Sequence, residues 1–326
     1  MASAPSIVFL DSATLGEPTG SLAVLAECHP CKFHGVTAPD EVASRIAGHS
    51  IVVTNKVRLD AEVLTSAAAA SLRLVAVAAT GVDIVDLAAA RERAIAVANV
   101  VGYSTASVAE HTMALIFELA ARVGRFDHAV RDGAWERSPI FTVFGWPRVE
   151  LAGKTLGIVG LGAIGQAVAR IATAMGMEVL VAARPGTVEP PPLGRVPIDE
   201  LFTRADILSL HCPLTPATRE LVNGASLARM KRRAWLVNTA RGGLVDEAAL
   251  IAALRAGTLA GAALDVISRE PPPPDHPVLL AARELPQLVV TPHVAWTTGE
   301  ARRRLVDEIA DNIHAFLRGQ ARNRVA

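Results

Sequence analysis

Two histidines, an arginine and two acids stand directly after apolar runs, where an open α/β sheet presents side chains to a ligand. His293 lies in Val289-Val290-Thr291-Pro292-His293-Val294-Ala295-Trp296, and His211 in Leu210-His211-Cys212-Pro213. Histidine changes charge near neutral pH, so either ring suits proton transfer. Either is also readable as a structural residue, and position alone does not choose between them. Arg241 sits in Trp235-Leu236-Val237-Asn238-Thr239-Ala240-Arg241-Gly242-Gly243. Its planar fork matches a carboxylate, and the two glycines permit an unusual backbone around it; the plain alternative is a surface arginine in a loop. Asp265 and Glu270 follow a third run, in Leu264-Asp265-Val266-Ile267-Ser268-Arg269-Glu270-Pro271. Glu270 is either a partner for one of these groups or the cap of a local turn before prolines.

A second constellation is built from glycine. Thr155-Leu156-Gly157-Ile158-Val159-Gly160-Leu161-Gly162-Ala163-Ile164-Gly165 reads as a strand, a Gly-x-Gly-x-x-Gly turn and the start of a helix. Gly160 allows the tight turn, Gly162 lets the backbone approach a pyrophosphate, and Gly165 lets helix and strand pack closely. The helix N-terminus then offers N–H groups and a positive dipole end to the phosphates. The segment reads as a dinucleotide site, the plain alternative being a glycine-rich turn in any α/β domain. The next strand ends where an acid would hold the ribose hydroxyls, but the sequence there is Ala183-Arg184-Pro185-Gly186. No carboxylate repels a 2′-phosphate, and Arg184 supplies a charged fork for one. The expected cofactor is therefore NADP, with NAD possible if Arg184 stacks beside the adenine. Gly153-Lys154-Thr155 mimics the tail of a P-loop, but Arg148 stands where its first glycine is needed, and the segment precedes a strand.

These groups need a scaffold. Runs at 6–11, 32–37, 50–55, 72–79 and 95–99 read as strands, with helical patterns such as 40–47 and 83–93 between them. A second alternation follows, with strands at 155–159, 178–183, 206–211, 234–238, 260–265 and 288–291, and helices at 164–175, 198–203, 225–230 and 246–255. Such alternation gives parallel sheets with helical crossovers. Between the two sets, residues 104–131 read as one helix about 40 Å long, with Val108, Leu115, Leu119 and Val123 on one face. Residues 133–151, with Trp135, Pro139, Gly145, Trp146 and Pro147, read as irregular. A last helix at 298–317 carries Leu305, Ile309, Ile313 and Phe316 on one face. The proline runs 190–192 and 271–274 read as stiff loops.

Composition narrows the rest. Hydrophobic residues make up 51% of the 326, enough for two packed cores. Lys plus Arg and Asp plus Glu are 32 each, which argues against a broad nucleic-acid surface or a polybasic membrane anchor. No apolar run reaches the ~20 residues of a membrane span, and the first residues carry no cationic leader; the expected location is cytoplasmic. Three cysteines make no disulfide framework. Cys28-His29-Pro30-Cys31 invites a redox or metal reading but precedes a strand, and zinc would need two further ligands, for which His29 and His34 are the only near ones; no metal is expected, and Cys212 reads as a packing residue.

The motifs at 160–165, 238–246, 264–272 and 291–296 occur in that order, with Ala79-Thr80-Gly81-Val82-Asp83 and Val108-Ala109-Glu110-His111 upstream. Together they resemble the D-isomer-specific 2-hydroxyacid dehydrogenase family over nearly the whole chain. His293-Val294-Ala295-Trp296 and Trp135-Glu136-Arg137-Ser138-Pro139 look most like its glycerate dehydrogenase or hydroxypyruvate (glyoxylate) reductase branch. Ala183, where that branch tends to carry an acid, is a departure that speaks against NAD.

The resemblance implies two Rossmann-like doubly wound domains around a cleft. Residues 1–99 plus 295–326 would form the substrate domain and 100–294 the dinucleotide-binding domain, with the helix and arm at about 104–150 making a homodimer. It implies reduction of small 2-keto acids to D-2-hydroxy acids. Arg241, Glu270 and His293 would be catalytic, with His293 as proton donor. Thr80, Gly81, Arg241, His293 and Trp296 would meet the substrate, although Trp296 is equally readable as a core anchor for the last helix. Thr105, Gly160, Gly162, Ala163, Ile164, Gly165, Arg184, His211, Cys212, Pro213, Thr218, Thr239, Ala240, Asp265 and Ala295 would surround the cofactor. The alternative is a dinucleotide-sensing, corepressor-like binding protein on the same scaffold; the presence of Arg241, Glu270 and His293 favours the enzyme.

Overall fold

Short runs of Val, Ile, Leu and Ala form central strands that are buried on both faces, the pattern of a parallel sheet covered by helices, while the edge strands Cys31–Phe33, Glu178–Val181 and Leu288–Val290 are partly exposed. The computed structural model describes residues 5–15, 26, 29–184 and 194–326. Cys28 and the 190–192 proline run lie outside the described residues. The chain divides into two compact units, Met1–Ser104 with Thr297–Ala326, and Thr105–Trp296.

The first unit holds β1 (Ile7–Phe9), β2 (Cys31–Phe33), β3 (Ile51–Thr54), β4 (Leu74–Val77) and β5 (Ala96–Ala98), with short helices α1 (Val42–Ile46), α2 (Ala61–Thr65) and α3 (Leu87–Glu92) between them. The strands pair in parallel in the order β2-β1-β3-β4-β5. The chain steps from β1 to β2, then across to β3, so the crossover direction reverses between β1 and β3. There the Asp11 carboxylate, 3% exposed, accepts the backbone N–H groups of Asn55, Lys56 and Val57.

The second unit opens on α4 (Thr105–Ala121) and α5 (Val123–Arg131). Its strands are β6 (Thr155–Val159), β7 (Glu178–Val181), β8 (Ile207–Leu210), β9 (Trp235–Asn238), β10 (Gly261–Leu264) and β11 (Leu288–Val290), all parallel, in the order β11-β10-β9-β8-β6-β7. Helices α6 (Ala163–Ala174), α7 (Ile198–Arg204), α8 (Gly224–Arg229), α9 (Glu247–Ala256) and α10 (Pro277–Glu284) link them. Here the reversal falls between β6 and β8. The helix α11 (Gly299–Leu317) returns to the first unit, burying Leu305, Ile309 and Ile313 and packing on β4.

Two expectations need correction. The single helix at 104–131 is two helices. Arg122 takes a left-handed backbone with φ 53°, and Gly124 N–H donates to the Glu118 side chain at 3.1 Å, starting a new helix in a new direction. Val108, Leu115 and Leu119 share the buried face, but Val123 lies past the break and is 64% exposed. Near the N-terminus the second strand spans Cys31–Phe33, earlier than the apolar pattern at 32–37 suggests, because it pairs with β1 from Ile7↔Cys31.

Candidate active site

The glycine turn closes β6 onto α6. Gly160 has φ 97°, a conformation that favours glycine. A Cβ there would also lie 2.6 Å from the His211 carbonyl, so the turn packs directly on the loop after β8. A Cβ on Gly165 would lie 2.2 Å from the Gly160 oxygen. Gly162 differs: a Cβ on it would meet nothing within 4 Å. It is the N-cap of α6, and no side chain caps that helix. Its first N–H groups, at Ala163 and Ile164, therefore border open space beside a bare glycine. That geometry fits the diphosphate of a dinucleotide. Arg184 lies exposed two residues beyond the bridge residue Ala182, at the carboxyl end of β7.

The loop after β8 carries the first histidine. His211 Nε2 lies 2.9 Å from Ser209 Oγ, and burial pushes the ring down to about 4. His211 is thus neutral at neutral pH and, among the described residues, has no carboxylate partner to stabilise a proton. Burial pushes the neighbouring Cys212 thiol up to about 11, which leaves no thiolate for chemistry. Pro213 is exposed, while Thr218 Oγ1 donates to the Pro213 carbonyl at 2.7 Å and accepts Thr215 N–H at 2.8 Å, so this hydroxyl shapes its own turn.

The loop after β9 carries Arg241. Fully buried Asn238 fixes it at both ends: its Nδ2 donates to the Arg241 carbonyl at 2.8 Å, and its Oδ1 accepts Ala240 N–H at 3.0 Å. Thr239 Oγ1 lies 2.9 Å from Thr112 Oγ1 on α4. The two glycines do not take the unusual backbone expected of them. Neither has a positive φ. Gly242 is needed for space, because a Cβ would lie 2.0 Å from the Ile267 carbonyl. The Arg241 loop is thereby pressed against the loop that carries Glu270.

Glu270 and His293 come together from the ends of β10 and β11. Glu270 Oε2 lies 2.6 Å from His293 Nδ1, and the two side chains are 31% and 26% exposed. Glu270 Oε1 accepts Ile267 N–H at 2.9 Å, so both readings of this acid hold at once: it caps its own turn and grips the histidine. The loop is tied down further where Ser268 donates N–H and Oγ–H to Glu247 on α9. His293 itself has φ 53°. Asp265 stabilises that strained turn. Its carbonyl accepts His293 N–H at 2.8 Å, and its carboxylate accepts Val294 N–H and Ala295 N–H, each at 3.0 Å, and Thr291 Oγ1 at 2.6 Å. Burial raises the Asp265 carboxyl, but hydrogen bonds from His111, Thr291, Ala295 and Val294 together hold it below its usual range.

The two histidines that position could not separate are therefore separated by environment. The structure brings Arg241, Glu270, His293, Asp265 and the glycine turn to the carboxyl ends of one sheet. Thr80 and Gly81 belong to the first unit, on the loop after β4, where Thr80 Oγ1 donates to Val100 O and the Thr80 carbonyl accepts Asn99 Nδ2. Thr105 opens α4, and half-buried Trp296 ends the second unit. Sequence reading missed Asn238 as the residue that sets the Arg241 loop and Ile267 as the donor that fixes Glu270. Among the described residues no group of three His, Cys, Asp or Glu side chains is arranged to hold a metal.

Residues 113–295 match the family model described as D-isomer specific 2-hydroxyacid dehydrogenase, NAD binding domain. The chain is 41% identical over 319 residues to glycerate dehydrogenase of Methylorubrum extorquens, covering 98% of each. It is 40% identical to hydroxypyruvate reductase of Blautia hydrogenotrophica, covering 93% of each. Among solved structures, the NADPH-dependent glyoxylate/hydroxypyruvate reductase of Sinorhizobium meliloti superposes with a TM-score of 0.83 at 29% identity, covering 99% of this chain and 98% of that one. With the glycine turn, the Arg241 loop and the Glu270–His293 pair all in place, this chain belongs to the D-isomer-specific 2-hydroxyacid dehydrogenase family and is an oxidoreductase that uses a nicotinamide dinucleotide.

Proposed function

We propose that the protein reduces a small 2-keto acid, hydroxypyruvate or glyoxylate, to the D-2-hydroxy acid, with NADPH as the preferred reductant. One observation carries the reading: His293 Nδ1 sits 2.6 Å from a Glu270 carboxylate that is itself fixed by Ile267 N–H. With Nδ1 so engaged, Nε2 is the nitrogen that serves the substrate. A bound reduced nicotinamide supplies hydride to the keto carbon. The electron pair of the carbonyl moves onto its oxygen, and His293 Nε2 delivers a proton there. Arg241 neutralises charge on the substrate carboxylate and the carbonyl oxygen. Glu270 orients the imidazole and balances its charged form. The N–H groups of Thr80 and Gly81 are assigned to the carboxylate, and Trp296 to a pocket wall that limits substrate size.

The first unit is accordingly the substrate domain and the second the dinucleotide-binding domain, with Thr105, His211–Pro213, Thr218, Thr239, Ala240, Asp265 and Ala295 shaping the cofactor's surroundings. We also assign a homodimer to the arm after α5, whose Phe141 and Phe144 are each 89% exposed. Such side chains are normally covered by a partner surface. Among the described residues no helix is long and apolar enough to cross a membrane, and we assign the protein to the cytoplasm.

The test follows loss of reduced nicotinamide absorbance with hydroxypyruvate, glyoxylate and pyruvate, each with NADPH and NADH, for wild type and His293→Ala. The expected result is turnover of one of the first two acids, reduced about 10²- to 10⁴-fold in the variant, as removal of a general acid does, while dinucleotide binding persists. Turnover that survives in His293→Ala overturns the proton-donor assignment.

A further inference from the structure

The Val108–His111 motif has no task in the reaction as described, yet its histidine lies on the inner side of α4. Three side chains there reach the loops at the carboxyl end of the sheet. Ser107 Oγ donates to the Ala295 carbonyl. Thr112 Oγ1 meets Thr239 two residues before Arg241. His111 Nε2 lies 3.0 Å from Thr291 Oγ1 and 3.3 Å from Asp265 Oδ1.

Counting protons fixes the direction of these bonds. Thr291 has one hydroxyl proton, and at 2.6 Å from the Asp265 carboxylate it is donated there. The Thr291 oxygen is then an acceptor toward His111, so His111 carries a proton on Nε2. A chain of donors results, from His111 through Thr291 to Asp265. The same Asp265 carboxylate holds Val294 and Ala295 N–H, and its carbonyl holds the N–H of His293 itself. His293 sits between Thr291 and Val294 in a left-handed conformation that a non-glycine residue adopts only when its surroundings impose it.

We propose that His111 is a positioning residue for His293: its Nε2–H anchors the Thr291–Asp265 clasp to α4 and so holds the strained turn that presents the His293 ring to Glu270. The inference rests on His293 being the proton donor. It assigns α4 a part in catalysis that no residue touching substrate or cofactor would reveal.

The test compares His111→Leu, which keeps bulk and removes the donor, with His111→Gln, which restores an N–H at similar reach. His111→Leu should lower kcat about 10- to 100-fold, the usual size for loss of a partner that orients a functional histidine. KM should change less, and dinucleotide affinity should be unchanged. His111→Gln should recover most of the activity. A second readout needs no substrate: in protein labelled with nitrogen isotope at histidine, the His293 ring signals, assigned by their absence from His293→Gln, should move in His111→Leu and return in His111→Gln. Wild-type kcat and unmoved His293 signals in His111→Leu would overturn the proposal. So would a glutamine variant as poor as the leucine one, or loss of dinucleotide affinity in step with kcat. If wild type turned over no keto acid, the reading of the reaction would fail, while the ring signals would still decide the positioning.

Discussion

The two sheets reverse direction in the same way, between β1 and β3 in one and between β6 and β8 in the other, yet among the described residues the two reversal points are lined differently. In the second unit, glycines keep the crevice clear: Gly160 lets the turn pack on the His211 loop, and Gly162 faces open space. In the first unit the equivalent crevice is filled from within. Asp11 brings its carboxylate to three consecutive N–H groups at Asn55, Lys56 and Val57, an arrangement that elsewhere receives an external anion. Burial raises the carboxyl and the three N–H donors lower it, with burial the larger effect. Topology therefore places N–H donors at a reversal point twice: the Asp11 carboxylate meets them in the first unit, and a bare glycine borders them in the second.

The sharpest way to break this comparison is to close the open crevice. Gly162→Val puts a branched side chain where nothing now lies within 4 Å, so the fold has room for it. Dinucleotide affinity should fall about 100-fold or more, equivalent to at least about 2.7 kcal/mol, with the thermal unfolding midpoint little changed. Titration calorimetry beside a melting curve reads both. An equal loss in stability would mean that Gly162 serves the fold and not the ligand.

The converse change empties the filled crevice. Asp11→Ala leaves three N–H groups without their acceptor, one on buried Asn55 and two on exposed Lys56 and half-buried Val57; an unmet buried donor costs about 1–3 kcal/mol, and hydration of the outer two holds the expected total to about 3 kcal/mol. Urea unfolding should show that loss, while dinucleotide affinity stays at the wild-type value. Asp11→Asn keeps one acceptor oxygen and should fall between. If neither variant were destabilised, the Asp11 bonds would be incidental, and the contrast between the crevices would lose its first half.

Why one crevice could be read in the sequence and the other not is a matter of range. The Gly160–Gly165 turn is contiguous, and each glycine has a steric reason local to one strand and one helix. The strands were legible for the same reason: 155–159 is a mostly apolar run between Lys154 and Gly160, and it forms in full as β6. Asp11 reaches 44 to 46 residues along the chain, and nothing near it in sequence announces the partners. The histidines behaved alike. Both follow strands, and they are told apart only by Ser209 beside one and by Glu270, 23 residues from the other. Resemblance to a family pointed to His293, the ring that lies 2.6 Å from a carboxylate in the structure. It did not reveal that Gly242 is needed for close approach, or that the helix breaks at Arg122, where the carboxylate of Glu118 reaches over the turn to Gly124.

The smallest expected effect lies at the rim of the open crevice, where Arg184 follows β7 and no acid precedes it at Ala183. In a site that discriminates by a ribose hydroxyl, an acid there would accept from both hydroxyls of NADH and repel a 2′-phosphate. Here the rim offers a guanidinium, whose fork can hold that phosphate and whose charge does little for an uncharged hydroxyl. Because Arg184 is exposed, water screens the attraction, and the preference should be modest. Arg184→Ala should raise KM for NADPH about tenfold, near 1.4 kcal/mol, and leave NADH almost unaffected, so the ratio of kcat/KM values shifts toward NADH by that factor. Higher salt should shrink the wild-type preference in the same direction, because an exposed ion pair is screened. Equal losses for the two nucleotides would mean that Arg184 stacks on the adenine both share, and the crevice would be open to a dinucleotide without choosing between them.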